Sequence, residues 1–167
     1  MPPSTHRLAN GGVIRAWRGT LTGEDQVASS EEFLSLVDVA GVKYAIVDYR
    51  HVIAHSLRPL DVHRVSDLLR GLGPIRLVAI ASQDVLFGFA RIVDLKRSDE
   101  AQWRLYVART VDEAIEWLER SCRTSTSPRL ARGSTQRSDG RIHRLRGFHG
   151  FFRSRRHAAT LAHHGSS

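Results

Sequence analysis

The stretch Val42–Val52, VKYAIVDYRHV, constrains the chain more than any other. Its apolar run Tyr44-Ala45-Ile46-Val47 is too short for a helix and too continuous for a strand with one wet face. It predicts a central strand covered on both sides. The run leads into Asp48, Arg50, His51, His55 and Ser56, a polar cluster ahead of Pro59, which suits the first turn of a helix. Sites in open α/β sheets are built at the carboxyl ends of central strands, so this edge is the first candidate for function.

Elements on either side follow from turn and helix signals. His6–Ala9 and Val13–Trp17 flank Asn10-Gly11-Gly12 and read as a hairpin, with Val13, Arg15 and Trp17 on one face and Ile14 and Ala16 on the other. Thr22 with Asp25 three residues on starts a helix that buries Phe33, Leu34 and Val37 and stops at Gly41. After Pro59, Val65, Leu68, Leu69 and Leu72 recur at helical spacing, and Gly71, Gly73 and Pro74 end the run. Ile75–Ala81 reads as a second buried strand. Ser82 is placed to cap a helix carrying Val85, Leu86, Phe89, Ile92 and Val93, Trp103–Val107 as a short strand, and Thr110-Val111-Asp112-Glu113 as a capping box opening a helix that ends near Arg120. The fold class expected is α/β: a mixed, mostly parallel sheet of about five strands with covering helices, over residues 6–120.

Beyond Ser121 the composition changes. Residues 1–120 hold 15 Lys plus Arg against 16 Asp plus Glu, whereas residues 121–167 hold 10 Arg against the single acid Asp139. The formal charge of +8 therefore belongs to the tail. Few branched apolar residues and no sustained period predict a disordered Arg/His/Ser/Gly-rich segment. Arg141, Arg144, Arg146, Arg153, Arg155 and Arg156 are its candidate polyanion contacts, with Phe148, Phe151 and Phe152 available to stack on bases. Attachment to a membrane surface through the same segment ranks lower, because no long amphipathic face is visible. Cys122 is the only cysteine, which rules out an intramolecular disulfide and a Cys-based cluster and fits a reducing cytoplasm. No run approaches the ~18 apolar residues of a transmembrane segment.

From about Arg7 to Glu119 the chain resembles the small bacterial STAS-like proteins, the SpoIIAA-like superfamily that joins anti-sigma-factor antagonists to stand-alone STAS/SEC14-like domains. The likeness is carried by Val13-Ile14-Arg15-Ala16-Trp17-Arg18-Gly19 with Leu21-Thr22, by Ala45-Ile46-Val47-Asp48-Tyr49-Arg50, by Val78–Ala81 running into Val85–Arg91, and by Thr110–Leu118. The resemblance implies a non-enzymatic interaction domain; the chain is expected to have a protein partner and no cofactor, and its cysteine usage to fit a cytoplasmic location. In the antagonist branch a serine near the start of the second helix, in an Asp-Ser-Ser-Gly-like context, is phosphorylated and switches partner binding. Here the matching segment reads Ile53-Ala54-His55-Ser56-Leu57-Arg58-Pro59, without that aspartate or glycine, and Ser56 is the serine in that neighbourhood.

Other chemistry competes for the same residues. A metal-dependent enzyme would draw on His51, His55 and Asp61, with His63 nearby, if the segment 51–61 were a loop that folds two imidazoles together. No HExxH motif supports it, and His63 with Asp67 spaces as a helical surface pair. A Ser56, His55, Asp61 hydrolase lacks the GxSxG elbow, and Gly71-Leu72-Gly73-Pro74 sits at a helix end rather than before a phosphate-binding helix. Gly88 inside a helix implies that something approaches its backbone closely. Phe87 and Arg91, four apart on that helix, form a candidate contact spot beside Asp48, Arg50, His55 and Ser56.

Overall fold

The structure is a computed structural model, and it describes residues 2–124. The element order is β1 (Ser4–Arg7), β2 (Gly12–Thr22), α1 (Gly23–Ala40), β3 (Tyr44–Ser56), α2 (Pro59–Leu69), β4 (Arg76–Ile80), α3 (Asp84–Leu95), β5 (Arg104–Ala108) and α4 (Val111–Thr124). The five strands pair in chain order, β1 antiparallel to β2 and every later pair parallel. That is the mixed, mostly parallel sheet with covering helices expected from the sequence.

A strand order that advances in one direction, with right-handed crossovers, puts α1, α2 and α3 on one face of the sheet. They pack on one another in sequence, α1 on α2 and α2 on α3, while α4 packs on β4 and β5. The other face receives α4, where Tyr106 of β5 stacks on Trp117 at 5.3 Å between ring centres. Both faces are thus covered, and β3 and β4 bury Ala45, Ile46, Val78 and Ile80 completely.

Local signals act as their chemistry dictates. Gly11 takes φ +83° in the β1–β2 turn, which suits glycine. Thr22 Oγ1 accepts the Asp25 N–H at 3.0 Å, and Gly41, at φ +58°, closes α1 by donating to the Val37 carbonyl. Pro59 opens α2, which buries Val65 and Leu69 but leaves Leu68 half-buried. Asp67, expected to face His63, pairs with Arg70 at 3.1 Å.

Four local expectations are corrected. β3 does not end at Val52. Two bulges, between Ala16 and Arg18 and between Gly19 and Thr20 in the β2 register, let its 13 residues run beside the 11 of β2 as far as Ser56. Gln83, not Ser82, is the N-cap of α3; it makes no side-chain capping bond, and its Nε2 donates to the Val52 carbonyl at 2.5 Å. Nothing lies within 4 Å of where a Gly88 side chain would begin, so no neighbour approaches that backbone. At α4 the Glu113 N–H donates to Thr110 Oγ1, but the Glu113 carboxylate takes the Arg109 N–H, so the box closes one residue early. α4 itself runs on to Thr124. The arginines and phenylalanines from Arg129 to Arg156 lie outside the described residues.

Candidate functional site

Alternation along β3 sends Val47 and Tyr49 to the face covered by α1–α3, and Asp48 to the opposite face. Asp48 pairs in register with Ile80, the last residue of β4, so beyond it β3 has only β2 as a neighbour. The Asp48 carboxylate closes that edge on itself. Oδ1 accepts the Arg50 backbone N–H at 3.1 Å and its Nε at 2.9 Å, and Oδ2 accepts Nη2 at 2.8 Å. Asp48 is buried and Arg50 half-buried, so the pair is a charge-assisted clasp at the point where the sheet narrows.

The other residues singled out on this edge are spread along the two-stranded stretch of β2 and β3 beyond Asp48. At about 3.3 Å per residue, His55 and Ser56 lie about 16–20 Å beyond Arg50. His55 is half-buried, with Nδ1 enclosed and without a hydrogen-bond partner, and Ser56 is exposed. Neighbours on a strand point to opposite faces, so a Ser56–His55 catalytic pair does not form. His51 pairs with Arg18 and His55 with Leu21, so the bulge between them puts the two imidazoles on opposite faces of the sheet, about 13 Å apart along the strand and unable to ligate one ion. Among the described residues no group of three or more His, Cys, Asp or Glu is placed to hold a metal ion.

Asp61 is committed elsewhere. Its side chain is fully buried at the first turn of α2, where Oδ2 accepts the Arg58 N–H at 2.8 Å and the Arg58 guanidinium reaches it at 3.5 Å. Burial raises its pKa, but the Arg58 backbone and side chain outweigh that and hold it below the usual carboxylate value. The Arg58 amide at the start of α2 is therefore already taken.

Phe87 and Arg91 have different partners. The Arg109 guanidinium lies 3.9 Å from the Phe87 ring centre, held by the Ser82 carbonyl at 3.1 Å and Asp84 at 2.8 Å, while Arg91 pairs with Asp94 at 3.5 Å. The apolar face that α3 does leave open is a different one. Leu86, Phe89, Ala90 and Val93 are buried, but Val85, Ile92 and Leu95 are 57%, 44% and 74% exposed, in a stripe that passes over Gly88.

A second feature escaped the sequence reading. α1 places Gln26, Ser29, Ser30 and Phe33 at i, i+3, i+4 and i+7, and all four are buried. They face Arg15, which is 3% exposed on the inner face of β2 between Val13 and Trp17. Arg15 Nη1 donates to the Ser29 carbonyl, Nη2 meets Glu32 Oε2 at 2.5 Å, and the guanidinium carbon lies 5.7 Å from the Phe33 ring centre. Arg15 Nε is buried without a partner. Tyr49 donates to Gln26 Oε1 at 3.1 Å, and burial pushes its pKa up to about 12. These groups line one end of a cavity of about 70 Å³ whose other walls are apolar, Leu69, Phe89 and Val93 among them. The signal was present: three polar residues on the helical stripe that should be apolar, and an arginine on the inward register of a strand.

No family model matches the chain, and no curated protein matches it. A crystal structure from Shewanella loihica PV-4, described as an uncharacterized protein from the DUF3478 family with a SpoIIAA-like fold, is similar to it. The match covers 70% of this chain and 91% of that one, at 17% identity and a TM-score of 0.44. Its description names the fold that the sequence resemblance implied. A likeness at this level says nothing about activity, cofactor or partner. The fold class rests on the strand order and helix placement above.

Proposed function

We propose that the folded domain is a non-catalytic STAS-like interaction module that binds a protein partner in the cytoplasm through α3 and the adjoining end of β3. One observation carries the reading: the exposed apolar stripe of Val85, Ile92 and Leu95 on α3. Solvent-facing apolar residues are ordinary when scattered, but a row along one helix is the form in which helices meet partners. Ile53, 81% exposed, extends the apolar character onto that end of β3, which the Gln83 to Val52 hydrogen bond ties to the start of α3. Asp48 with Arg50, Phe87 under Arg109, and Arg91 with Asp94 are the other paired groups named for this surface. Exposed Ser56 at the tip of β3 is the candidate phosphorylation site that would alter binding there.

The test is affinity capture from native cytoplasm with the full chain, a chain ending at Thr124, and a full-length Ile92→Asp variant, each with and without nuclease. The reading expects the same protein to be retained by the first two, insensitively to nuclease, and lost by the third at unchanged thermal stability. Retention that needs residues 125–167 and disappears with nuclease or raised salt would overturn it in favour of a polyanion-binding tail. Retention unaffected by Ile92→Asp would remove α3 as the surface. Loss of capture in Ser56→Asp, but not in Ser56→Ala, would support the switch.

A further inference from the structure

The face of the sheet under α1–α3 holds two apolar clusters, one around Val13, Ala45, Leu77 and Trp103 and another around Trp17, Tyr49, Ala79 and Leu86. The 70 Å³ cavity has walls from both. One positive charge, Arg15, lines it, and no acid does; Gln26, Ser29, Ser30 and Tyr49 are its neutral polar groups. The nearest compensating charge is Glu32, whose side chain is 63% exposed outside the lining. Arginine stays charged under physiological conditions, and a buried guanidinium N–H without an acceptor is a cost that a native core rarely carries for packing alone.

We propose that this cavity is a binding site for a short-chain aliphatic carboxylate. Arg15 keeps Nε unspent while Nη1 is held by the Ser29 carbonyl and Nη2 by Glu32, so a bound carboxylate would take Nε and share or displace the Glu32 contact for its second N–H. The Tyr49 hydroxyl and Gln26 amide stand beside it as neutral hydrogen-bonding groups. Leu69, Phe89 and Val93 provide the apolar wall for the chain. The size sets the length. One water needs about 10–15 Å³ on this measure and an engineered cavity of about 150 Å³ takes benzene, so 70 Å³ takes a body of a few carbons and excludes a fatty-acid tail.

Calorimetric titration of the full chain with butyrate, butanol, hexanoate and dodecanoate tests this, with amide shifts followed by NMR. One-site saturable binding of butyrate is expected, with butanol at least tenfold weaker and dodecanoate no tighter than hexanoate. The largest shifts should fall on Gln26, Tyr49 and Phe89. Arg15→Gln should lose at least tenfold for butyrate and nothing for butanol. If that variant does not fold, Ala79→Leu, which narrows the cavity and keeps Arg15, must weaken butyrate tenfold at native near-UV dichroism. Absence of saturable carboxylate binding, equal affinity for butanol, shifts confined to surface arginines, or affinity that climbs through dodecanoate would each overturn the proposal.

Discussion

The Asp61 carboxylate lies directly against the Cα of Gly23, so the first residue of α1 and the capping residue of α2 occupy one site. Any side chain at Gly23 collides with Asp61 Oδ2, and Asp61 has no solvent-facing space to yield into. Gly23→Ala should destabilise the domain by about 1–3 kcal/mol, as overpacking does. In an Asp61→Ala background, itself destabilised by loss of the cap, the same change should cost much less. Urea unfolding of the four proteins of that cycle checks the coupling.

The acid limb of stability should depend on the same carboxylate. Its pKa is lower folded than unfolded, so the stability it contributes is present above the ordinary aspartate value near 4 and is lost as pH falls through the folded value. Asp61→Asn should flatten the decline in thermal midpoint below about pH 4 and leave the trend near neutrality unchanged.

Tyr49 governs the alkaline limb. Burial raises its pKa from 10 to about 12, so above about pH 10 the unfolded chain ionises first and stability falls as pH rises. The loss approaches about 2–3 kcal/mol by pH 12. Tyr49→Phe should abolish this component while forfeiting the hydrogen bond to Gln26, which denaturant titrations at pH 8 and pH 11 would separate.

Arg50→Ala should be among the more damaging substitutions on the edge of β3. It strips the buried Asp48 carboxylate of both guanidinium bonds, leaving only the backbone N–H, at a cost of about 1–3 kcal/mol. Asp48→Asn combined with Arg50→Ala should recover part of that loss, because no buried charge is then left uncompensated. The measurement is again equilibrium unfolding.

Gly88→Ala should stabilise the domain by about 0.5–1 kcal/mol, since the position is helical, open and without positive φ. If capture of the partner falls while stability rises, the glycine serves the binding surface on α3.

Strand and helix order was legible because it depends on local physics. The apolar run Tyr44–Val47, the Thr22 cap, Pro59 and Gly41 each act within one or two turns of their own position, and each does in the structure what its chemistry requires. The mixed, mostly parallel sheet followed from that order together with right-handed crossovers. Periodicity misled where a tertiary neighbour intervened. β3 continues to Ser56 because β2 offers ladder partners that the short, mixed run 53–56 does not advertise, and Val85 and Ile92 are exposed because α3 turns only its Leu86, Phe89 and Val93 side inward. The polar stripe of α1 and the inward Arg15 were both visible as residues. Only packing decided that they meet each other across a cavity, because a buried charge is specified by what surrounds it, and those surroundings come from seven elements, β2 through β5 in chain order.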